Sequence, residues 1–296
     1  MILSYIDGNA QSLPMYSQYM YNMTNINPAY AGSRGVPSLA FIWREQWAGL
    51  PGSPSTKSIT FDVPNKDKNI GFGIQLFDDR YVNVLRRTGV NMYYNLKFPV
   101  SDKGVLSMGL KGGFYNDLKL LTGVNTGPLY SYDIAYSSNF NKIIPLAGAG
   151  IYYNNDRFYV GFSAPDLITF SKVHSSYLSD SSLYQVNEIH YFLTAGYSFS
   201  VNEDLSVKPS VLIKAVSGAP LEIDMNTNIW LRNIVGLGVS YRTSESMLAM
   251  AEVQVTPQLR FGYSYDMPFK LPNSNELFLR IEIGSLFPSN KNYKIF

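Results

Sequence analysis

"EIHYFLTAGYSFS", residues 188–200, alternates between two kinds of side chain. One set is apolar or aromatic and consists of Ile189, Tyr191, Leu193, Ala195, Tyr197 and Phe199. The other set is mostly polar or small and consists of Glu188, His190, Phe192, Thr194, Gly196 and Ser198. Successive side chains of a β-strand point to opposite faces, so this period of two predicts a strand with one apolar face and one polar, hydrated face.

The same alternation recurs through most of the chain and predicts about fourteen strands. Many of them reach the ~9–11 residues of a tilted transmembrane strand, whereas strands of globular proteins are mostly ~5–6 residues long. No stretch approaches the ~18–20 consecutive apolar residues of a spanning helix. The sequence therefore predicts an all-β protein, a transmembrane antiparallel β-barrel over residues 36–284. The predicted strands are 36–48, 55–64, 69–79, 86–99, 104–118, 146–154, 157–164, 187–200, 204–217, 220–231, 234–242, 247–256, 259–267 and 276–284.

The predicted connections fall into two sets. Short turns follow the even-numbered strands, and the longest connections, 119–145 and 165–186, follow odd-numbered ones. Outer-membrane barrels have short periplasmic turns and longer outer loops, so an even strand number places both termini in the periplasm. The segment 130–140 also alternates, but counting it would make the strand number odd, and we assign it to an outer loop.

Composition narrows the class of protein. The formal net charge of +2 gives no reason to expect a nucleic-acid partner, because such binding depends on neutralising many phosphates. The chain has no cysteine, which excludes disulfides and thiolate metal ligands. Aromatic residues make up 15% of the chain and charged residues only 16%, which fits a protein with one polar, hydrated face and one apolar face.

Tyrosines are frequent near the ends of the predicted strands. Their amphipathic rings suit the membrane interface, where barrels carry aromatic girdles. The tyrosines assigned to such girdles are Tyr93, Tyr94, Tyr115, Tyr152, Tyr153, Tyr159, Tyr191, Tyr241, Tyr263 and Tyr265.

The sequence predicts no catalytic, cofactor-binding or metal site. His174 and His190 are isolated histidines, which are more often solvated or hydrogen-bonded than catalytic. Paired carboxylates such as Glu222 and Asp224 could act as acid and base or bind calcium, as could Asp78-Asp79. We interpret the carboxylates as part of a polar lumen wall, balanced by the basic residues Lys208, Lys214, Arg260 and Arg280.

The N-terminal region precedes the strands and lacks their periodicity. Residues 1–10 end in Gly8-Asn9-Ala10 and resemble the remnant of an export signal. Residues 11–35, the leader, are rich in Tyr, Met and Asn. A barrel of about fourteen strands encloses a polar lumen too wide for its wall side chains to fill. We therefore hypothesise that the leader folds inward as a plug; the alternative is a periplasmic strap.

Four stretches resemble one known family in combination. They are "QYMYN" at 18–22, "NINPAYAGSRG" at 25–35, "WREQWAGLPGSPST" at 43–56 and "GAGIYYNNDRFYVGFSAPDLI" at 148–168. Together they resemble the PorP/SprF family of type IX secretion system outer-membrane proteins. The matching leader positions are Gln18, Tyr19, Met20, Tyr21, Asn22, Asn27, Pro28, Ala29, Tyr30, Ala31 and Gly32, and those at the first strand are Arg44, Gln46, Trp47, Gly49 and Leu50.

The resemblance implies a non-enzymatic outer-membrane barrel, surrounded by lipid, that works with type IX secretion and gliding motility. It implies help in delivering or holding a cognate secreted adhesin and contacts with periplasmic components, without a cofactor. We expect the long outer loops to contact the exported partner, and the tail 285–296 and the short turns to face the periplasm.

Two other functions are alternatives. The first is a transport channel for small hydrophobic solutes that resembles the fatty acid transporter family, in which an N-terminal hatch carries an element like Asn27-Pro28-Ala29. That function requires an apolar interior, against which the predicted lumen charges argue. The second, a barrel hydrolase, would need a Ser-His pair, and neither histidine offers one.

Overall fold

The structure of the protein is a computed structural model that describes residues 16–122, 138–169, 171–173, 183–185, 189–217, 219–243 and 246–284. The predicted export signal 1–10, the tail 285–296 and His174 lie outside these residues. So do the central parts of both predicted long loops, including most of the segment 130–140.

The described residues form seventeen strands and three short 3-10 helices. The 3-10 helices are Tyr19–Tyr21, Met23–Asn25 and Pro28–Tyr30. None of the helices in the described residues is long and apolar enough to cross a membrane. The strands are β1 Ser38–Glu45, β2 Ser55–Pro64, β3 Ile70–Tyr81, β4 Leu85–Pro99, β5 Val105–Lys119, β6 Phe140–Asn154, β7 Phe158–Thr169, β8 Ser171–Val173, β9 Leu183–Gln185, β10 His190–Tyr197, β11 Phe199–Ser200, β12 Leu205–Val216, β13 Glu222–Leu231, β14 Val235–Arg242, β15 Ser246–Gln254, β16 Leu259–Pro268 and β17 Ser274–Glu282.

Fourteen of these strands form one closed antiparallel sheet. β1 to β7 pair in order, β7 pairs with β10, β10 with β12, and β12 to β17 again pair in order. The sheet closes because β1 also pairs with β17, with Ser38 opposite Glu282. The predicted fold, an antiparallel β-barrel of fourteen strands, is confirmed. β11 continues β10 beside β12, and β8 and β9 form a separate two-stranded hairpin.

The two faces of the barrel wall have opposite polarity. Side chains of β13 that are buried and point inward are Glu222, Asp224, Asn226, Asn228 and Trp230. Outward-pointing side chains of the same strand that are about half exposed are Met225, Ile229 and Leu231. A water-soluble sheet buries its apolar face, so this inverted arrangement is the one expected of a barrel whose outer face meets hydrocarbon.

The barrel has two rims with different connections. The rim that contains the start of β1 and the end of β17 also contains the short turns 65–69, 100–104 and 155–157, and we call it the terminal rim. The opposite rim contains the connections 46–54, 120–139 and 170–189, and we call it the loop rim. The predicted separation of short turns from long loops is therefore observed.

The strands β6 and β7 extend further into the predicted long loops than expected. β6 begins at Phe140 rather than 146, because its pairing with β5 continues to Lys119 opposite Phe140. β7 continues to Thr169 rather than 164, after an irregularity beside Gly148. The predicted loops 119–145 and 165–186 are shorter by these residues, and the second contains β8 and β9.

The assignment of the tyrosines to girdles is wrong for part of the set. Tyr94, Tyr191, Tyr241 and Tyr263 point outward and are exposed. Other tyrosines occupy inward positions of their strands and are buried against the leader or the wall: Tyr93, Tyr115, Tyr152 and Tyr159. Of two neighbouring tyrosines in a strand, one points inward and the other outward, and the alternation alone does not say which. Packing inside the barrel decides that Tyr93 and Tyr152 point inward.

Candidate functional site

The described part of the leader, residues 16–35, folds through local hydrogen bonds into three short turns. The side chain of Asn27 accepts a hydrogen bond from the backbone N–H of Ala29 at 2.9 Å and so caps the third turn. Pro28 occupies the first position of that turn, where its fixed φ suits a helical start and its missing N–H costs nothing. Gly32 has φ 66°, a left-handed conformation that favours glycine.

The apolar side chains of the leader pack against inward side chains of the wall. Tyr19, Met20 and Met23 are each only 1% exposed. Aromatic contacts connect the leader with the wall. The distances between ring centroids are 6.4 Å for Tyr21 and Trp230, 6.0 Å for Tyr21 and Phe278, and 5.4 Å for Tyr30 and Tyr152. These contacts involve β13, β17 and β6, so the leader packs against separate parts of the wall.

Hydrogen bonds between the leader and the wall also come from widely separated strands. The backbone N–H groups of Ser17 and Gln18 donate to the carboxylate of Glu276 on β17, both at 2.8 Å. The other bonds are Asn22 Nδ2 to Thr60 Oγ1 on β2 at 3.3 Å, Asn95 Nδ2 on β4 to the Ala31 carbonyl at 2.9 Å, Asn27 Nδ2 to the Ile151 carbonyl on β6 at 2.9 Å, and Ser163 Oγ on β7 to the Ile26 carbonyl at 2.9 Å.

Glycines in the wall allow the leader backbone to approach closely. A Cβ atom on Gly109 would lie 2.1 Å from the backbone nitrogen of Ala29, and one on Gly71 would lie 2.0 Å from the carbonyl oxygen of Ala31. Such distances are shorter than any van der Waals contact, so a larger residue at either position would displace the leader or the strand.

A cluster of buried charges surrounds the first described residues of the leader. Arg242 on β14 forms a bidentate pair with Asp224, with Nε to Oδ1 at 2.8 Å and Nη2 to Oδ2 at 3.0 Å. Arg44 on β1 lies 3.0 Å from Asp266 and 3.6 Å from Glu276, and it also donates to the hydroxyl of Ser17. Because each carboxylate has a cationic partner, these buried charges are paired as low-dielectric surroundings require.

A second cluster lies at the terminal rim and contains more cations than carboxylates. We call Arg34, Lys208, Arg260 and Arg280, with Glu252 and Glu282, the rim cluster. Arg34 of the leader lies 3.3 Å from Glu282, and Arg280 lies 3.2 Å from the same carboxylate. Both arginines also donate to the carbonyl of Tyr21, at 3.0 and 3.1 Å. The rim cluster therefore attaches the end of the leader to the wall.

The residues singled out in the sequence divide into two groups in the structure. The leader positions from Gln18 to Gly32 are gathered along the inward face of the wall, and Arg44 contacts Ser17 there. Gln46, Trp47, Gly49 and Leu50 instead follow the end of β1, which stops at Glu45 rather than 48, and lie in the loop-rim connection. That connection is held by backbone N–H bonds from Trp47 to Ser274 Oγ at 3.1 Å and from Ala48 to the Asn273 carbonyl at 2.8 Å.

Cations do balance the carboxylates of the lumen, as predicted, but only one of the four predicted partners, Lys214, lies beside Glu222 and Asp224. Asp224 is paired with Arg242, which is not among the predicted partners. Lys214 stands opposite Glu222 across β12 and β13, as a balancing charge should. The predicted partners Lys208, Arg260 and Arg280 lie at the other rim. Asp266 and Glu276 were also missed, although the inward parity of their strands was a usable signal.

Two further candidate residues that the structure describes, His190 and Asp78, lie in different surroundings. His190 is 1% exposed on the inward face of β10. Asp78 forms exposed pairs with Arg80 at 3.0 Å and Arg86 at 2.6 Å, away from the lumen clusters. Within the described part of the chain, no group of three or more His, Cys, Asp or Glu side chains could hold a metal ion.

The closed sheet with an apolar outside and a polar inside defines a β-barrel of the outer-membrane class. Residues 8–280 match the family described as type IX secretion system membrane protein PorP/SprF. The chain therefore belongs to the PorP/SprF family, and the predicted resemblance is confirmed. No curated protein matches the sequence.

Solved structures with similar folds are outer-membrane barrels of low sequence identity. The CymD monoaromatic hydrocarbon channel is 11% identical, with 90% of this chain and 92% of that chain covered and a TM-score of 0.50. The toluene transporter TbuX of Ralstonia pickettii is 11% identical, with 86% and 92% covered and a TM-score of 0.47. Omp33 of Acinetobacter baumannii is 8% identical, with 83% and 96% covered and a TM-score of 0.45. At such identities the similarity shows the fold alone.

Proposed function

We propose that this outer-membrane barrel of the type IX secretion system is non-enzymatic and supports delivery or surface attachment of a secreted adhesin, with its lumen closed by the leader. The observation that carries the closed lumen is the burial of residues 16–35 against wall strands from β2 to β17. Membership of the PorP/SprF family supports the role in secretion.

The leader has the properties that a plug requires. Its side chains fill volume that wall side chains of a fourteen-stranded barrel leave empty. Its polar groups hydrogen-bond to five or more separate wall positions, which supplies partners for much of the polar surface that the leader buries. Gln18 Oε1 and Asn25 Nδ2 are buried atoms of the leader without a hydrogen-bond partner among the described residues. A secretion-linked barrel closed in this way would hold a partner at the surface without making the membrane leaky.

The two rims suit different partners. The longest connections lie at the loop rim, and in outer-membrane barrels long loops face outward. We assign the loop rim to the exported adhesin and the terminal rim, with its short turns, to periplasmic components of the secretion and motility machinery. Both chain ends of the barrel domain then face the periplasm.

Two experiments test this function. Deletion of residues 11–31 is expected to convert a barrel that is closed to small ions in planar bilayers into an open one, and unchanged conductance would overturn the plug. Purification from native membranes in mild detergent, followed by mass spectrometry, is expected to recover a large secreted adhesin or periplasmic machinery. Recovery of the barrel alone would count against the secretion role.

A hydrocarbon channel is the weaker candidate. The name of the CymD structure describes a monoaromatic hydrocarbon channel, and its TM-score of 0.50 supports a similar barrel. An apolar solute needs an apolar path, yet inward positions here hold Lys214, Glu222 and Asp224, all buried. Uptake of labelled toluene by cells that produce the barrel, above that of cells without it, would favour the channel.

A further inference from the structure

A polar cluster interrupts the apolar outer face of the barrel near the loop rim. The outward apolar side chains of β3 end at Leu76, which is 53% exposed, and those of β4 end at Val90. Beyond them, toward the loop rim, the same faces carry Asp78 and Arg80 on β3 and Arg86 and Thr88 on β4. We call these four residues the outer cluster. Because the apolar outward face meets hydrocarbon, this change of polarity marks the boundary between the hydrocarbon and the lipid headgroups.

Two arginines of the outer cluster face each other directly across the strand pair. Arg80 is opposite Arg86 in the register of β3 and β4, and their side chains are 55% and 46% exposed. Like charges in directly opposite positions destabilise a sheet. Asp78 is the one carboxylate of the outer cluster, so a single negative charge faces two guanidinium groups. The outward charges at the loop rim of β1 and β2, Glu45 and Lys57, have opposite signs and leave this excess unchanged.

Asp78 holds each arginine through a single nitrogen. Arg80 Nε donates to Oδ2 of Asp78 at 3.0 Å, and Arg86 Nε donates to Oδ1 at 2.6 Å. The hydroxyl of Thr88 also donates to Oδ1, at 2.9 Å. Neither guanidinium makes a further hydrogen bond within the described part of the chain. The terminal amino groups of both arginines can therefore donate to a second anion, and phosphate is the anion whose oxygens match such paired donors.

A surface groove lies beside the outer cluster on the same face of the wall. It has a volume of about 420 Å³ and is lined by Thr88, Phe114, Asn116, Asn141 and Ile143. Clefts that bind small ligands have volumes of ~300–1,000 Å³. Phe114 and Ile143 are 47% and 71% exposed and offer apolar surface, whereas the two asparagine amides offer hydrogen-bond donors and acceptors. Thr88 connects the groove with the outer cluster, so one ligand can contact both.

We infer that the outer cluster and the groove together bind a phosphorylated glycolipid of the outer leaflet. Its phosphate lies on the two guanidinium groups, its sugar hydroxyls contact Asn116 and Asn141, and its apolar part packs against Phe114 and Ile143. A phospholipid of equal charge has no sugar ring for the two amides, and a free phosphate ion does not use the groove. The inference rests on the proposed function in one respect, the outward direction of the loop rim.

Native mass spectrometry of the full-length barrel tests the inference. The protein is purified in detergent, stripped of lipid and titrated separately with diphosphoryl lipid A, dephosphorylated lipid A and phosphatidylglycerol. One equivalent of diphosphoryl lipid A is expected to bind, at least about tenfold more tightly than either of the other lipids. R80Q/R86Q removes both guanidinium groups and is expected to weaken this binding at least about tenfold. N116V removes one amide of the groove and should reduce the preference for lipid A over phosphatidylglycerol.

A matched variant separates a specific site from general attraction between arginine and anionic lipid. R232Q removes an arginine that is 67% exposed and paired with Asp204, but at the terminal rim, and it is expected to leave lipid A binding unchanged. Equal binding by R80Q/R86Q and R232Q would overturn the inference, as would equal binding of dephosphorylated lipid A. Preference for phosphatidylglycerol would assign the site to a phospholipid, and displacement of lipid A by millimolar phosphate would assign it to the free ion; either result contradicts the glycolipid. Should R80Q/R86Q fail to fold, R86Q provides the same comparison.

The titration needs neither an adhesin nor a conducting state of the barrel. Absence of lipid A binding would therefore overturn the glycolipid site and leave the closed, secretion-linked barrel standing. A barrel that binds lipid A but conducts ions and recovers no partner would instead contradict the proposed function alone.

Discussion

Glu276 on β17 accepts a hydrogen bond from the backbone N–H of Gln18 at 2.8 Å, although 258 positions separate the two residues in the chain. The same carboxylate accepts the backbone N–H of Ser17 at 2.8 Å. Glu276 lies near the loop rim, whereas Arg34 of the leader contacts Glu282 at the terminal rim. One strand therefore holds the leader near both rims, with one carboxylate at each.

Loss of the charge on Glu276 is expected to loosen the leader. E276Q replaces the acceptor of two charge-assisted hydrogen bonds, which are worth about 1.5–3 kcal/mol each. It also leaves Arg44, 3.6 Å away, without part of its compensation. We expect frequent conducting events in planar bilayers and a free energy of unfolding lower by about 2 kcal/mol. D204N is the control, because it alters the carboxylate of the exposed pair between Asp204 and Arg232. It should change neither the conductance nor the free energy of unfolding.

Added bulk at a wall glycine is expected to displace the leader directly. In G109A the new methyl group would lie 2.1 Å from the Ala29 nitrogen, which is backbone and has little freedom to move. Overpacking of this kind costs about 1–3 kcal/mol. On the same strand, a methyl group on Gly112 would meet nothing within 4 Å, so G112A is the matched control. Channel recordings should show openings for G109A alone; equal recordings from both variants would contradict close packing of the leader.

The strands were predictable from the sequence because their period of two is imposed by the lipid outside and the polar lumen inside. The individual contacts inside the barrel were less predictable from the sequence. Tyr152 and Tyr153 are neighbours, and the sequence cannot state which one faces the lumen until Gly150 is known to lie against Asn27. Arg44 and Asp266 are 222 positions apart, and only closure of the barrel through β1 and β17 brings them to 3.0 Å.

The cap at Asn27 is expected to hold the leader in place through two separate bonds. N27A removes both the bond to the Ala29 N–H and the bond to the Ile151 carbonyl, whereas N27D keeps the acceptor and loses the donor. Each lost bond costs about 1 kcal/mol. The chain has no cysteine, so T24C, at a position 1% exposed, gives a single probe for maleimide labelling.

Labelling of T24C should be slow in the parent, faster with N27D and fastest with N27A. S101C, at an exposed position of a short turn, reports the reactivity of a free thiol and should react rapidly in every background. Equal rates for T24C in all three backgrounds would show that Asn27 does not hold the leader.

A charge placed on the outward face is expected to destabilise the barrel according to its depth in the membrane. Val239 points outward in the middle of β14 and is 65% exposed, whereas Ile234 lies in the adjoining turn at the terminal rim and is 48% exposed. Arginine at the midplane of a barrel costs about 2–4 kcal/mol, and near the interface about 0–1. V239R should therefore lower the free energy of unfolding from lipid vesicles by about 2–4 kcal/mol, and I234R by less than about 1. Since both variants add the same side chain, only the surrounding medium distinguishes them. Equal costs would mean that the apolar rows of the wall do not face hydrocarbon.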